Sequence, residues 1–252
     1  MRHKAEPAEA ARGSRWLDTR RLKAIAALGV GIFLWFLPTL LVPGLNGPVV
    51  GLIDTALHAI GLLNASAGSF ERGFVAALTV RWLAVVLLLL FVVVVEHEPL
   101  SSLGIRVPRW RGVVLALVIG VLALVVGVAL YLLVNGGPQT SASTQTGQIL
   151  RTLGLAGRIH LDVNAAVVEE LFFRGQLIEC LIRIFERRWL AGAVPFVLFV
   201  GSHYLTGSAS LVQTLTINLV SGLALVSLYL RRRNVLLCMI AHAIMDVTVV
   251  FA

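Results

Sequence analysis

Charge is scarce in this chain: only 13% of its 252 residues are Asp, Glu, Lys or Arg, while 58% are hydrophobic. Soluble domains carry about a quarter charged residues, so a soluble globular enzyme is excluded. Cysteine is nearly absent. The two present, Cys180 and Cys238, lie in apolar segments and form no C-x-x-C pair. That excludes a disulfide framework or thiolate metal site and leaves two small core residues. No H-E-x-x-H occurs, and no aromatic-basic module accompanies the net charge of +8. Nucleic acid is therefore not an expected partner; the charge reads as solvated loop arginine facing anionic lipid.

What is present is apolar length. Runs at 24–42, 73–95, 112–134, 161–182, 190–205, 209–230 and 235–252 reach or approach the roughly 20 residues a spanning helix needs. The expected fold is all-α, a polytopic membrane helical bundle of about seven spans. Residues 1–23 are expected to form a basic cytoplasmic tail, 24–158 a set of N-terminal membrane helices, and 159–252 a C-terminal helical core. The run 24–42 sits behind a long basic leader without a small-residue cleavage site, so it reads as a retained span. Segment 48–63 is apolar but carries Asp54 and His58, four apart and on one helix face. It is expected to be an interfacial or re-entrant helix, with that pair at a wetted edge.

Positive charge orients the layout. With the N-terminus inside, sixteen Lys/Arg fall on the cytoplasmic side: seven in the tail and three each around Arg109, Arg187 and Arg232. Three lie outside: Arg72, Arg151 and Arg158. Trp110 and Trp189 stand beside the inner arginines, where interfacial aromatics belong.

Against this background, Glu169-Glu170-Leu-Phe-Phe-Arg174 stands out inside an apolar run. Ionisable groups at bilayer depth cost at least a few kcal/mol, so they mark a functional site by default. Glu170 and Arg174 are i and i+4 and can pair as a structural ion pair. Glu169 is turned about 100° away and escapes that pair, so two carboxylates receive two environments. Two other apolar segments bring His203, after Phe199, and His242, four residues before Asp246. At 1.5 Å per residue, Glu169 lies about 16 Å from Arg158, and His242 about 12 Å from Asn234. In a hydrocarbon layer about 30 Å thick, both reach nearly the same level.

An aspartate at i+4 can hold an imidazole in one tautomer. Ser202 is the only near candidate for a nucleophile, and it faces away from adjacent His203. The simplest chemistry is water activated by a carboxylate with histidines assisting. No cofactor is then required; zinc held by the Glu, two His and Asp is the alternative. Gln213 and Asn218 read as interhelical hydrogen bonders.

At these residues the chain resembles the CPBP family, the CAAX proteases and bacteriocin-processing or Abi membrane proteins. The family pattern is E-E-x-x-x-R, then F-x-x-x-H, then H-x-x-x-N or H-x-x-x-D. Glu169-Glu170…Arg174, Phe199…His203 and His242…Asp246 match it in order and spacing over about residues 160–250. The resemblance implies an intramembrane glutamic-type endopeptidase of eight spans. In it Glu169 is the general base on water, His203 shares that water, and His242 helps form the oxyanion site. Asp246 stands where the eukaryotic prenyl-protein endopeptidases have Asn; an ionised aspartate cannot donate to an oxyanion, so orienting His242 is its expected role. The expected catalytic set is Glu169, His203, His242 and Asp246, acting on a membrane-associated or lipidated protein or peptide in a bacterial or archaeal cell membrane. The competing functions are a catalytically silent scaffold or immunity protein of the same family and a proton-coupled transporter.

Overall fold

Helix α1, Thr19–Leu41, shows how the apolar runs fold. Ala24, Ala27, Gly31, Leu34 and Leu37 recur at helical spacing and are buried. Ile32, Phe33, Phe36 and Leu40 point outward and remain exposed. In a soluble protein such an outward apolar face would be an aggregation liability; here it is the lipid-facing surface of an integral membrane protein. The computed structural model describes residues 19–41, 55, 59, 69–136, 147, 150 and 153–250. The Asp54/His58 pair, most of the 48–63 segment, the tail to residue 18 and Arg151 lie outside them.

Helix α2 is Ser69–Leu90, continued by a π-helical turn Phe91–Val95. A 3-10 turn, Leu100–Leu103, leads to α3, Trp110–Asn135. Helix α4 runs over 155–185, and its middle is wound as π-helix at Ala165–Glu169 and Leu171–Ile178. Then come α5, Arg188–Leu205, and α6, Leu211–Arg232, with a π-helical stretch at Thr214–Asn218. The chain closes with α7, Val235–Met245, and a short α8, Val247–Val250. No strand occurs among the described residues.

Among the described residues, four helices are long and apolar enough to cross a bilayer: Thr19–Leu41, Ala76–Val95, Trp110–Asn135 and Leu211–Arg232. The other expected spans are also helices but deviate from simple transmembrane rods. Helix α4 is interrupted by its charged side chains. The run 235–252 is broken after eleven helical residues, a length of about 16 Å against a hydrocarbon layer of about 30 Å. Gln213 is not interhelical glue: it forms a capping box with Ser210 that starts α6.

Packing positions α4 and α7 tightly. The buried face of α3 is Ala116, Gly120, Ala123 and Gly127, and small residues let helix backbones approach closely without a hydrophobic driving force. A Cβ on Gly120 would lie 2.8 Å from the Ala241 carbonyl, so a side chain there would push α7 away. Helix α4 is tied down on both sides of its charged motif. Asn164 Nδ2 donates to the Leu78 carbonyl of α2 at 3.0 Å, and Gln176 Nε2 to the Ala27 carbonyl of α1 at 2.8 Å. A buried amide bonded this way is costly to detach, so the motif between them has little freedom to slide.

Candidate active site

The two adjacent carboxylates meet different partners. Glu170 is fully buried, and its Oε1 accepts from Arg174 Nη1 at 2.8 Å. The same oxygen lies 2.7 Å from His242 Nδ1, joining α4 to α7 across 72 residues of chain. His242 Nε2 in turn lies 3.3 Å from Asp246 Oδ2. Each ring nitrogen therefore faces a carboxylate oxygen, an arrangement satisfied in full when both carry a hydrogen. The sequence spacing pointed to Asp246 as the partner of His242; Glu170 joins it as a second and closer one.

Arg174 is enclosed as completely as its partner. Its guanidinium lies 4.3 Å from the centroid of the Phe199 ring and 6.0 Å from that of Phe173, a desolvated cation–π arrangement. Phe199 sits at the centre of the site. Its ring meets His203 at 4.8 Å and His242 at 6.1 Å, both edge-on.

His203 is half-buried, and its Nδ1 stands 2.8 Å from the Phe199 carbonyl. A carbonyl only accepts, so Nδ1 carries the hydrogen, and in the neutral ring Nε2 is the basic nitrogen. Ser202 Oγ donates to the same carbonyl at 2.8 Å and does not pair with His203.

Glu169 does not share the Glu170–Arg174–His242 network. Its side chain is 13% exposed, and its charged neighbour is Arg81 of α2, with Nη1 4.0 Å from Glu169 Oε1. Glu169 Oε2 is buried without a hydrogen-bond partner. Arg81 lies over the Trp35 ring of α1 at 5.6 Å, and Trp35 stacks on Phe172 at 4.6 Å. Sequence reading did not single out Arg81. The available signal was the rule already applied to α4: a charge inside an apolar run marks a site.

A narrow cleft adjoins this arrangement, and a larger cavity lies apart from it. The larger, about 590 Å³, has charged residues on its walls and lies among Arg21, Glu96, Arg183 and Glu186 at the helix ends. Glu96 is fifteen residues along α2 from Arg81, roughly 22 Å, so this cavity is separate from the carboxylates. The smaller is a narrow apolar cleft between α1, α2 and α4. Leu34, Trp35, Arg81, Leu88, Val168 and Phe172 are among the residues that line it. Among the described residues no three His, Cys, Asp or Glu are grouped to hold a metal ion. In Glu170–His242–Asp246 both imidazole nitrogens face carboxylates, so the ring would have to break one contact to ligate.

Residues 155–248 match the family model described as Rce1-like, type II CAAX prenyl endopeptidase. No curated protein and no solved structure matches. The matched segment begins at the first residue of α4 and includes Glu169, Glu170, Arg174, His203, His242 and Asp246.

Proposed function

We propose that the protein is an intramembrane endopeptidase, a reading supported by the match of residues 155–248 to the Rce1-like model of type II CAAX prenyl endopeptidases. It hydrolyses a peptide bond of a membrane-associated or lipidated protein, with Glu169 as the base that activates water. The observation that carries the reading is the division of labour between neighbours. Glu170 is fully buried with its Oε1 shared by Arg174 and His242, whereas Glu169 stands outside that network and its side chain is 13% exposed. A general base needs a lone pair within reach of a water, and Glu169 is the partly exposed carboxylate of the pair.

His203 assists through Nε2, its Nδ1 hydrogen being engaged by the Phe199 carbonyl. His242 and Asp246 act as positioning residues that hold Glu170 and α4 in register. The substrate is a protein or peptide in the bilayer, and a prenylated Cys-aliphatic-aliphatic-X terminus is the form the family description names. The test compares membrane peptide profiles of cells carrying the wild-type protein and Glu169→Ala. Fragments present only with the wild type are expected; identical profiles would remove the assignment.

Asp246 gives a second test. If its carboxylate orients His242, replacement by a neutral amide weakens a charge-assisted contact. Asp246→Asn should then slow turnover at least about tenfold, equivalent to roughly 1.4 kcal/mol in the barrier. If position 246 instead donates to an oxyanion, the amide serves as a permanent donor and the rate is kept or improved. The 3.3 Å contact to His242 Nε2 supports the first outcome. An Asn variant as fast as wild type across neutral pH assigns the position to oxyanion donation.

A further inference from the structure

A water inside an apolar helix bundle is held only where two or more polar groups reach it, and a base supplies one of them. Of the two oxygens of Glu169, Oε2 is buried and Oε1 is the one turned to Arg81 Nη1, at 4.0 Å. That separation is too long for a direct hydrogen bond and of the kind a bridging water spans. One oxygen fits between the two groups at about 2.8 Å from each. The side chains of Arg81 and Glu169 are 32% and 13% exposed, so their gap is not sealed as the Glu170–Arg174 pair is.

Arg81 is also braced against the helix that carries the base. Its guanidinium lies over the Trp35 ring of α1 at 5.6 Å, and Trp35 stacks on Phe172 at 4.6 Å. Phe172 is three residues beyond Glu169 on α4, so donor and base are referred to one element. A donor fixed in this way keeps a reactant in a near-attack position before the reaction starts. The neighbouring cation cannot do this, because Arg174 is enclosed at 0% exposure with Glu170.

We propose that Arg81 is a further catalytic residue, donating an N–H hydrogen bond to the attacking water and so fixing it against Glu169. The inference rests on the reading of Glu169 as the base. The water has two hydrogens and two lone pairs. One hydrogen goes to Glu169 Oε1, and the other is left for the assisting His203 Nε2. One lone pair accepts from Arg81, which leaves the second free to meet the carbonyl carbon. Glu169 takes its proton as the water oxygen bonds to that carbon and the carbonyl π pair moves onto the carbonyl oxygen. As the C=O bond re-forms, the C–N bond breaks and the proton held by Glu169 passes to the leaving nitrogen. The products are one carboxylic acid and one amine. Arg81 gives up no proton, since a guanidinium stays charged at any working pH.

The test uses the full-length protein in liposomes with a quenched fluorescent peptide ending in a farnesylated Cys-aliphatic-aliphatic-X sequence. Arg81→Met suits an apolar span while removing every donor. Because Arg81 touches the water and not the peptide, kcat is expected to fall about 100-fold, the cost of misplacing a reactant by about 1 Å. KM should stay within about threefold of wild type. Added guanidinium should restore part of the lost kcat. A wild-type kcat in Arg81→Met overturns the role, as does a loss confined to KM. Combining the substitution with Glu169→Gln, over incubations long enough to read the residual rate, separates water from peptide as the target. Residues that act as a unit are not additive, so the double variant should be no slower than Glu169→Gln alone. A further loss of about tenfold or more overturns the proposal, since Arg81 then acts on a species that Glu169 does not handle. If Arg81→Met does not yield folded protein, a water-resolving crystal structure of the wild type decides. An ordered water within hydrogen-bond distance of Arg81 Nη1 and Glu169 Oε1 supports the role; a direct contact or an empty gap overturns it. If Glu169→Gln is inactive while Arg81→Met is fully active, only the Arg81 role falls. If Glu169→Gln cleaves normally, or if wild type cleaves nothing, the base assignment falls and the Arg81 role with it.

Discussion

Glu169→Gln is expected to abolish turnover while leaving the protein folded and membrane-inserted. The amide has nearly the shape of the carboxylate but cannot take a proton from water, so the change removes a base and little else. Loss of a positioned general base lowers rate by about 10²–10⁴. The fold should tolerate the change because Glu169 makes no hydrogen bond that α4 depends on. Its charged neighbour stands at 4.0 Å, while α4 is tied down through Asn164 and Gln176. The measurement is peptide cleavage by the purified variant, with its size-exclusion profile and thermal unfolding midpoint as controls. Full cleavage by a well-folded Gln variant would falsify the assignment of Glu169 as base.

Arg174→Ala should fail differently, through folding. Arg174 is 0% exposed and holds the equally buried Glu170 at 2.8 Å. Glu170 also holds His242, so one guanidinium balances a carboxylate that connects two helices. Removing one partner of a buried pair leaves an uncompensated charge and costs roughly 3–5 kcal/mol. The cavity left against the Phe199 ring, now 4.3 Å from the guanidinium, adds to that loss. The expected result is a low yield of folded protein in detergent and a depressed unfolding midpoint, with activity lost as a consequence. A stable, well-expressed but inactive Arg174→Ala protein would place Arg174 on the substrate instead.

The contrast between these substitutions comes from neighbouring residues, and how each partner could be foreseen differs. Arg174 is one helical turn from Glu170, a relation readable from spacing alone. Arg81 is 88 positions from Glu169 and carries no local motif; it is near only because α2 packs on α4, where Asn164 reaches the Leu78 carbonyl. His242 shows both cases at once. Its contact to Asp246 follows from i, i+4 spacing, and its closer contact to Glu170 depends on α7 settling against α3.

What the amino-acid sequence determined by itself is whatever depends on chain distances within one helix. Apolar runs set the membrane class, because unsatisfied backbone in lipid forces each run into a helix. The charged and imidazole side chains inside those runs marked the candidate site, and their i, i+4 spacings named the Glu170–Arg174 and His242–Asp246 contacts. Only the tertiary structure decided how the helices stand in register. The small face of α3 set how closely α7 approaches, and side-chain-to-backbone bonds pinned α4 to α1 and α2. The π-helical winding over Ala165–Glu169 and Leu171–Ile178 was also decided there. Its i→i+5 bonds are rare and appear mostly as bulges inside α-helices, and no local spacing rule anticipates them. The physical reason is that contacts between helices depend on packing summed over whole faces, whereas contacts within a helix depend on a fixed pitch.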